Sequence, residues 1–170
     1  LMKQLKNSKK FLFEPNKTNF KFLNSHIKKN KIKNIELYNV AISNKNGFVN
    51  FDQTKTVSAV SMIRNTVKSK KIKSLNLDYF IKKKIIPDFI KIDVEGHELS
   101  VLQGAKRLLK HFNPTLILSI HPKNLKNNKI SLLMLKEFLE KYSYNIKSSD
   151  YLKLKKMKNM EVILSKKISF

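Results

Sequence analysis

The chain has 170 residues, 41% of them apolar, and a formal charge of +24 from 36 lysines and arginines against 12 acidic residues, with no cysteine. That length supports one buried core and excludes two domains of ordinary size. The missing thiols exclude disulfides, thiolate metal sites and cysteine nucleophiles, and neither an apolar run of roughly 18 residues nor a secretory leader is present, so the chain reads as soluble and cytoplasmic, without a membrane span.

Short apolar runs alternate with amphipathic stretches, the pattern of strand and helix units around a largely parallel sheet. KFLF at 10–13 reads as a strand stopped by Glu14 and Pro15. Phe20, Leu23 and Ile27 recur at three- and four-residue spacing and predict a helix from Thr18 to Lys29. IELYNVAI at 35–42 is the next strand; NKNG and FVNF then predict a tight turn and a returning strand, a hairpin. Residues 53–70 have no period and read as an irregular loop, long enough to be functional. IKSLNLDYFIKKK gives a strand stub and a helix, and Pro87 leads into DFIKID.

A helix is predicted from His97 to Lys110, with Gly104 inside it at a cost of about 1 kcal/mol, which points to close approach by a neighbour. PTLILSIH at 114–121 reads as a strand buried on both faces. A helix over ISLLMLKEFLEKY, strand-like YNIK at 144–147 and MEVILS at 160–165 complete the chain, and the lysine runs at 82–84 and 153–158 read as solvated surface.

Ligands of open parallel sheets bind beyond the carboxyl ends of the strands. Glu14, Asp93 and His121 each end a predicted strand, so the three should share one rim, with Glu14 and Asp93 facing a common crevice. A carboxylate placed as Glu14 is accepts hydrogen bonds from a ribose diol. Asp93, Glu95 and Glu98 surround a strand-to-helix turn at Gly96, where simple helix capping is an equal reading. His121 is a base for a hydroxyl or a satisfied half-buried imidazole, and His97 is its competitor. No spacing is diagnostic of a metal, and none is assigned.

The charge invites a polyanion as partner. Arginine, however, stands only at Arg64 and Arg107, and specific phosphate recognition favours the arginine fork. A nucleic-acid partner is therefore not favoured over a solvated basic surface.

Three stretches in this order, FLFEPNKTNFKFLNSHIKKNKIKNIELYNVAISNKNGFVNF, LNLDYF and PDFIKIDVEGHELSVLQGAKRLLKHFNPTLILSIHP, resemble the FkbM family of S-adenosylmethionine-dependent methyltransferases. The likeness covers residues 8–122, and its specific part is IKIDVEGHE followed by VLQGA. It implies a class I methyltransferase fold, a Rossmann-like α/β sheet with helices on both faces and its last strand antiparallel. It also implies S-adenosylmethionine as cofactor, a hydroxyl of a sugar or secondary metabolite as acceptor, and hence a small-molecule or glycan partner.

Carried over by position, Glu14 of FEP takes the ribose hydroxyls, and Val40 and Ala41 of NVAIS lie against the adenine. Asp93 meets the methionine end of the cofactor, Lys91 and Glu95 form the network around it, and His121 lines the acceptor side. The implied catalytic set is His121, Asp93 and Lys91; the implied cofactor set is Glu14, Val40, Ala41, Asp93 and Glu95. Family members carry a strand and a glycine-rich turn before FEP, whereas no glycine precedes Glu14 here. The expectation is one methyltransferase domain over 1–170, incomplete at its N-terminus, lacking the first strand and glycine loop, and binding the cofactor weakly or not at all. Ser119 also departs from the glutamate of the family's E-x-H pattern. The alternative function is a non-catalytic basic module on the same fold, contacting nucleic acid or another polyanion.

Overall fold

A computed structural model describes residues 7–52, 62–63 and 69–166. The chain divides into two units, one of Leu1–Ile42 with Asn46–Leu75 and one of Ser43–Lys45 with Asn76–Phe170.

In the first unit, strand β1 (Lys10–Phe13) ends at Glu14 and Pro15, and helix α1 (Lys17–Lys29) follows at once. Asn16 makes that sharp change workable: its Oδ1 accepts from the amides of Thr18 at 2.9 Å and Asn19 at 3.1 Å, which would otherwise lack partners. His26, Lys28 and Lys29 fill the last turn, where positive charge suits the helix dipole. Phe20, Leu23 and Ile27 are half-buried, as their spacing predicts. Strand β2 (Ile35–Tyr38) runs parallel to β1, in a register that sets Phe13 beside Tyr38 with their rings stacked at 5.4 Å.

The predicted strand over 35–42 is interrupted. Asn39 turns its side-chain amide back to the carbonyls of Glu14 at 2.7 Å and Pro15 at 3.2 Å, and extended structure resumes only at β3 (Ala41–Ile42). Strands β4 (Gly47–Asp52), β5 (Met62–Ile63) and β6 (Ser69–Leu75) join β3 in a sheet of order β3-β6-β4-β5.

The predicted hairpin at NKNG is therefore not formed: β4 pairs antiparallel with β6, and β3 pairs parallel with β6. The tight hairpin turn needs positive φ at both central residues, and of Asn46 and Gly47 only the glycine has it, at +130°. Of the segment read as a loop at 53–70, residues 53–61 and 64–68 lie outside the described residues; Met62–Ile63 pairs with β4, and β6 begins at Ser69.

The second unit opens with a 3₁₀ helix, Leu77–Lys83, capped by Asn76, whose Oδ1 accepts from the Tyr79 amide at 2.8 Å. Its sheet contains β7 (Phe89–Ile92), β8 (Thr115–Ile120) and β9 (Met160–Leu164). The first two are parallel and β9 is antiparallel, the reversed last strand that the family resemblance implies. Burial alternates along β8, correcting the expectation of two buried faces: Leu116, Leu118 and Ile120 are buried, Thr115, Ile117 and Ser119 half-buried. The unit's core lies on the face of Ile90, Ile92, Leu116, Leu118, Ile120, Val162 and Leu164, and the opposite face presents Phe89 and Ile163, 65% and 69% exposed.

The helix predicted over 97–110 is two helices, α2 (Glu98–Gln103) and α3 (Lys106–His111), with Gly104 at the break. Close approach is confirmed there: a Cβ on Gly104 would lie 2.1 Å from the carbonyl oxygen of Ser43. Asp78 restarts the second helix, its two carboxylate oxygens accepting from the amides of Arg107 at 2.9 Å and Leu108 at 3.0 Å.

Helices α4 (Pro122–Asn127), α5 (Leu132–Lys141) and α6 (Ser148–Lys155) complete the unit. The YNIK stretch is not a strand; Tyr144 is wholly buried and donates its hydroxyl to the Pro114 carbonyl at 2.7 Å. Among the described residues no helix is long and apolar enough to cross a membrane.

Candidate active site

The end of β7 and the end of β8 bring three of the predicted residues together. Beyond Ile92 the backbone makes a turn through two left-handed residues, Glu95 at φ +51° and Gly96 at φ +96°. Only glycine fits the second position, since a Cβ there would lie 2.7 Å from the Asn124 backbone carbonyl carbon. Helix α4 thus sits directly on the turn. Its Asn124 donates to Glu95 Oε2 at 2.8 Å, and Asn128 donates to the Gly96 carbonyl at 3.0 Å.

His121 closes the arrangement. Its Nδ1 lies 3.0 Å from Glu98 Oε1, while its Nε2 lies 3.5 Å from Glu95 Oε2 and 3.7 Å from Asp93 Oδ1. One carboxylate oxygen each of Asp93 and Glu95 and a ring nitrogen of His121 fall within 4.8 Å of one another, a spacing suited to a cationic group. Among the described residues no lysine or arginine makes an ion pair with Asp93, Glu95 or Glu98. In a chain where basic residues outnumber acidic ones 36 to 12, that absence is informative.

Simple capping does not account for these acids. The residue preceding α2 is His97, half-buried, with no side-chain capping bond to the helix. Asp93 makes no such bond either, and only Glu98 takes an amide of the turn, that of Gly96 at 3.0 Å.

Lys91 points elsewhere. Its ammonium is paired with Glu161 on β9, and Ser119 Oγ stands 3.3 Å from the same carboxylate oxygen. Ser119 and Glu161 are direct cross-strand partners, so β9 supplies a carboxylate opposite the position where the family pattern has glutamate. The hydrogen bond from Lys91 and its charge hold the Glu161 carboxyl below the ordinary carboxylate range.

The remaining predicted residues belong to the first unit. Glu14 follows β1, its amide bonded to the Tyr38 carbonyl at 3.0 Å, and its Oε1 accepts from the Asn16 amide at 2.7 Å. Burial raises its pKa, and the Asn16 amide offsets this in part. Among the described residues its Oε2 has no hydrogen-bond partner. Asn19, Phe22, Leu23 and His26 of α1 join Glu14 around an open concavity of about 510 Å³. Val40, between β2 and β3, and Ala41, the first residue of β3, are both buried.

Glu98, Asn124 and Glu161 were not singled out as site residues by sequence reasoning. The sequence does signal Glu98, as an acid three residues after another acid and facing the apolar stripe of α2; Asn124 and Glu161 depend on pairings between distant segments and have no local signal.

A family model described as the methyltransferase FkbM domain matches residues 2–146. No curated protein matches the chain. Among solved structures, the methyltransferase FkbM from Methylobacillus flagellatus KT is similar, with a TM-score of 0.57 and 22% identity over 79% of this chain and 31% of that one. The fold is thus the Rossmann-like α/β arrangement of that protein, of whose length this chain spans about a third.

Proposed function

Since this chain belongs to the family of FkbM methyltransferase domains, we propose that it serves the transfer of a methyl group from S-adenosylmethionine to the oxygen of a small-molecule or glycan hydroxyl. The observation that carries this reading is the anionic turn at 93–98, left without lysine or arginine partners among the described residues of a strongly basic chain. A positively charged methionine end suits such a turn. The donor, when bound, supplies an electrophilic methyl on a sulfonium.

In the second unit, Asp93 and Glu95 hold that cationic end. His121 Nε2 receives the acceptor's hydroxyl proton, and Lys91, paired with Glu161, supports the charge balance of the neighbouring strand ends. In the first unit, Glu14 Oε2, without a hydrogen-bond partner among the described residues, accepts from ribose hydroxyls, and Val40 and Ala41 back the adenine. Methyl transfer demands in-line placement and a destination for one proton, and little covalent help. These residues supply both.

Titration with S-adenosylhomocysteine followed by amide NMR tests the reading. Shifts centred on Glu14, Val40 and Ala41 and on Asp93 to Glu95 are expected, even at millimolar affinity. Shifts scattered over surface lysines and abolished by moderate salt would instead support the polyanion-binding alternative, which the charge of +24 favours.

A further inference from the structure

We propose that Glu98 is a positioning residue, a wholly buried carboxylate that locks the His121 imidazole in its Nδ1–H tautomer so that Nε2 is the atom that accepts a proton. The inference rests on the role given above to His121 and adds a residue to it. Glu98 is 0% exposed, an unusual place for a glutamate, on the first turn of a largely buried helix. Its Oε1 serves two donors, the Gly96 amide at 3.0 Å and His121 Nδ1 at 3.0 Å, and among the described residues its Oε2 has no partner.

Burying a carboxylate with one oxygen unsatisfied is costly, because the group gives up its hydration without a full set of replacement donors. If the residue served only to take the Gly96 amide, its side chain would lie at the rim with the second oxygen in water. It lies instead beneath the imidazole. An ionised carboxylate only accepts hydrogen bonds, so the shared hydrogen must reside on Nδ1. The neutral ring then carries its lone pair on Nε2.

That nitrogen is aimed between Glu95 Oε2 and Asp93 Oδ1, at 3.5 and 3.7 Å, and neither contact is a hydrogen bond of normal length. It is left available to an acceptor's hydroxyl. In the transfer step the new oxygen–carbon bond forms as the sulfur–carbon bond breaks, and the hydroxyl proton passes to Nε2. The resulting imidazolium keeps its Nδ1–H on Glu98, whose charge stabilises it. The same logic makes a carboxylate behind a histidine effective wherever the ring must present one chosen nitrogen.

The test needs no turnover, so its failure is separable from failure of the methyltransferase reading. With ring-15N-labelled histidine, long-range 15N–1H correlation spectra above the imidazole titration report the tautomer. Native His121 is expected as Nδ1–H. The substitution Glu98→Met keeps the volume and removes the acceptor, and should shift His121 toward the Nε2–H form that free imidazoles prefer; Glu98→Gln, which keeps an acceptor oxygen, should retain Nδ1–H. An Nε2–H ring in the native chain, or a ring unchanged by Glu98→Met, would overturn the proposal. Should Glu98→Met fail to fold, the native spectrum and Glu98→Gln decide the matter.

Discussion

Burial of Glu14 carries a cost that one backbone amide only partly offsets. Its folded pKa is raised, so the protonated form is favoured in the fold, and the stability tied to that proton is present at low pH and lost as pH rises through the folded value. Near neutrality the ionised side chain is therefore a burden. Glu14→Gln keeps an acceptor for the Asn16 amide and removes the charge. It should raise the unfolding midpoint at pH 7, with the gain shrinking toward pH 4, while weakening S-adenosylhomocysteine binding at least tenfold; denaturant titrations at both pH values and a ligand titration check it. Glu14, Asp93 and His121 were legible as strand-end residues because each closes an apolar run, a local signal. Asn124 was not, because its role arises from the docking of α4 on the 93–97 turn, and Glu98 was legible only as an acid facing the apolar stripe of α2, not as the partner of His121.

At the scale of elements, Gly104 shows propensity and packing in opposition. Alanine would gain about 1 kcal/mol of helix propensity, but its Cβ would fall 2.1 Å from the Ser43 carbonyl, a backbone atom with no easy retreat. Gly104→Ala should cost about 1–3 kcal/mol net in chemical denaturation. The long amphipathic run was legible from its period; its division into α2 and α3 was not, since the break answers to the Ser43 carbonyl and Asp78, both distant in sequence.

Tyr144 makes a second case. YNIK has strand-like residues, yet the segment is a buried coil fastened by one hydroxyl. Burial pushes that phenol up to about 12, so stability should be complete below pH 10 and fall as pH climbs toward 12. Tyr144→Phe should lose about 1 kcal/mol at neutral pH and show a flatter alkaline limb, measured by thermal unfolding between pH 8 and 12.

At the scale of the molecule, the charge of +24 is a self-repulsion that the few ion pairs among the described residues do not relieve. Salt should therefore stabilise the fold. The thermal midpoint is expected to rise between 20 and 300 mM sodium chloride as the screening length shortens. An unchanged or lower midpoint would mean that the positive charges are already compensated in the native state.

The chain passes from one unit to the other after Ile42, returns after Lys45, and leaves again after Leu75. Ser43, whose carbonyl abuts Gly104, belongs to that brief excursion. No single proteolytic nick can therefore yield both halves whole: scission beyond Leu75 would strip the downstream piece of the tripeptide that seals its helix break, and two fragments meant to be studied separately would each begin life damaged or encumbered.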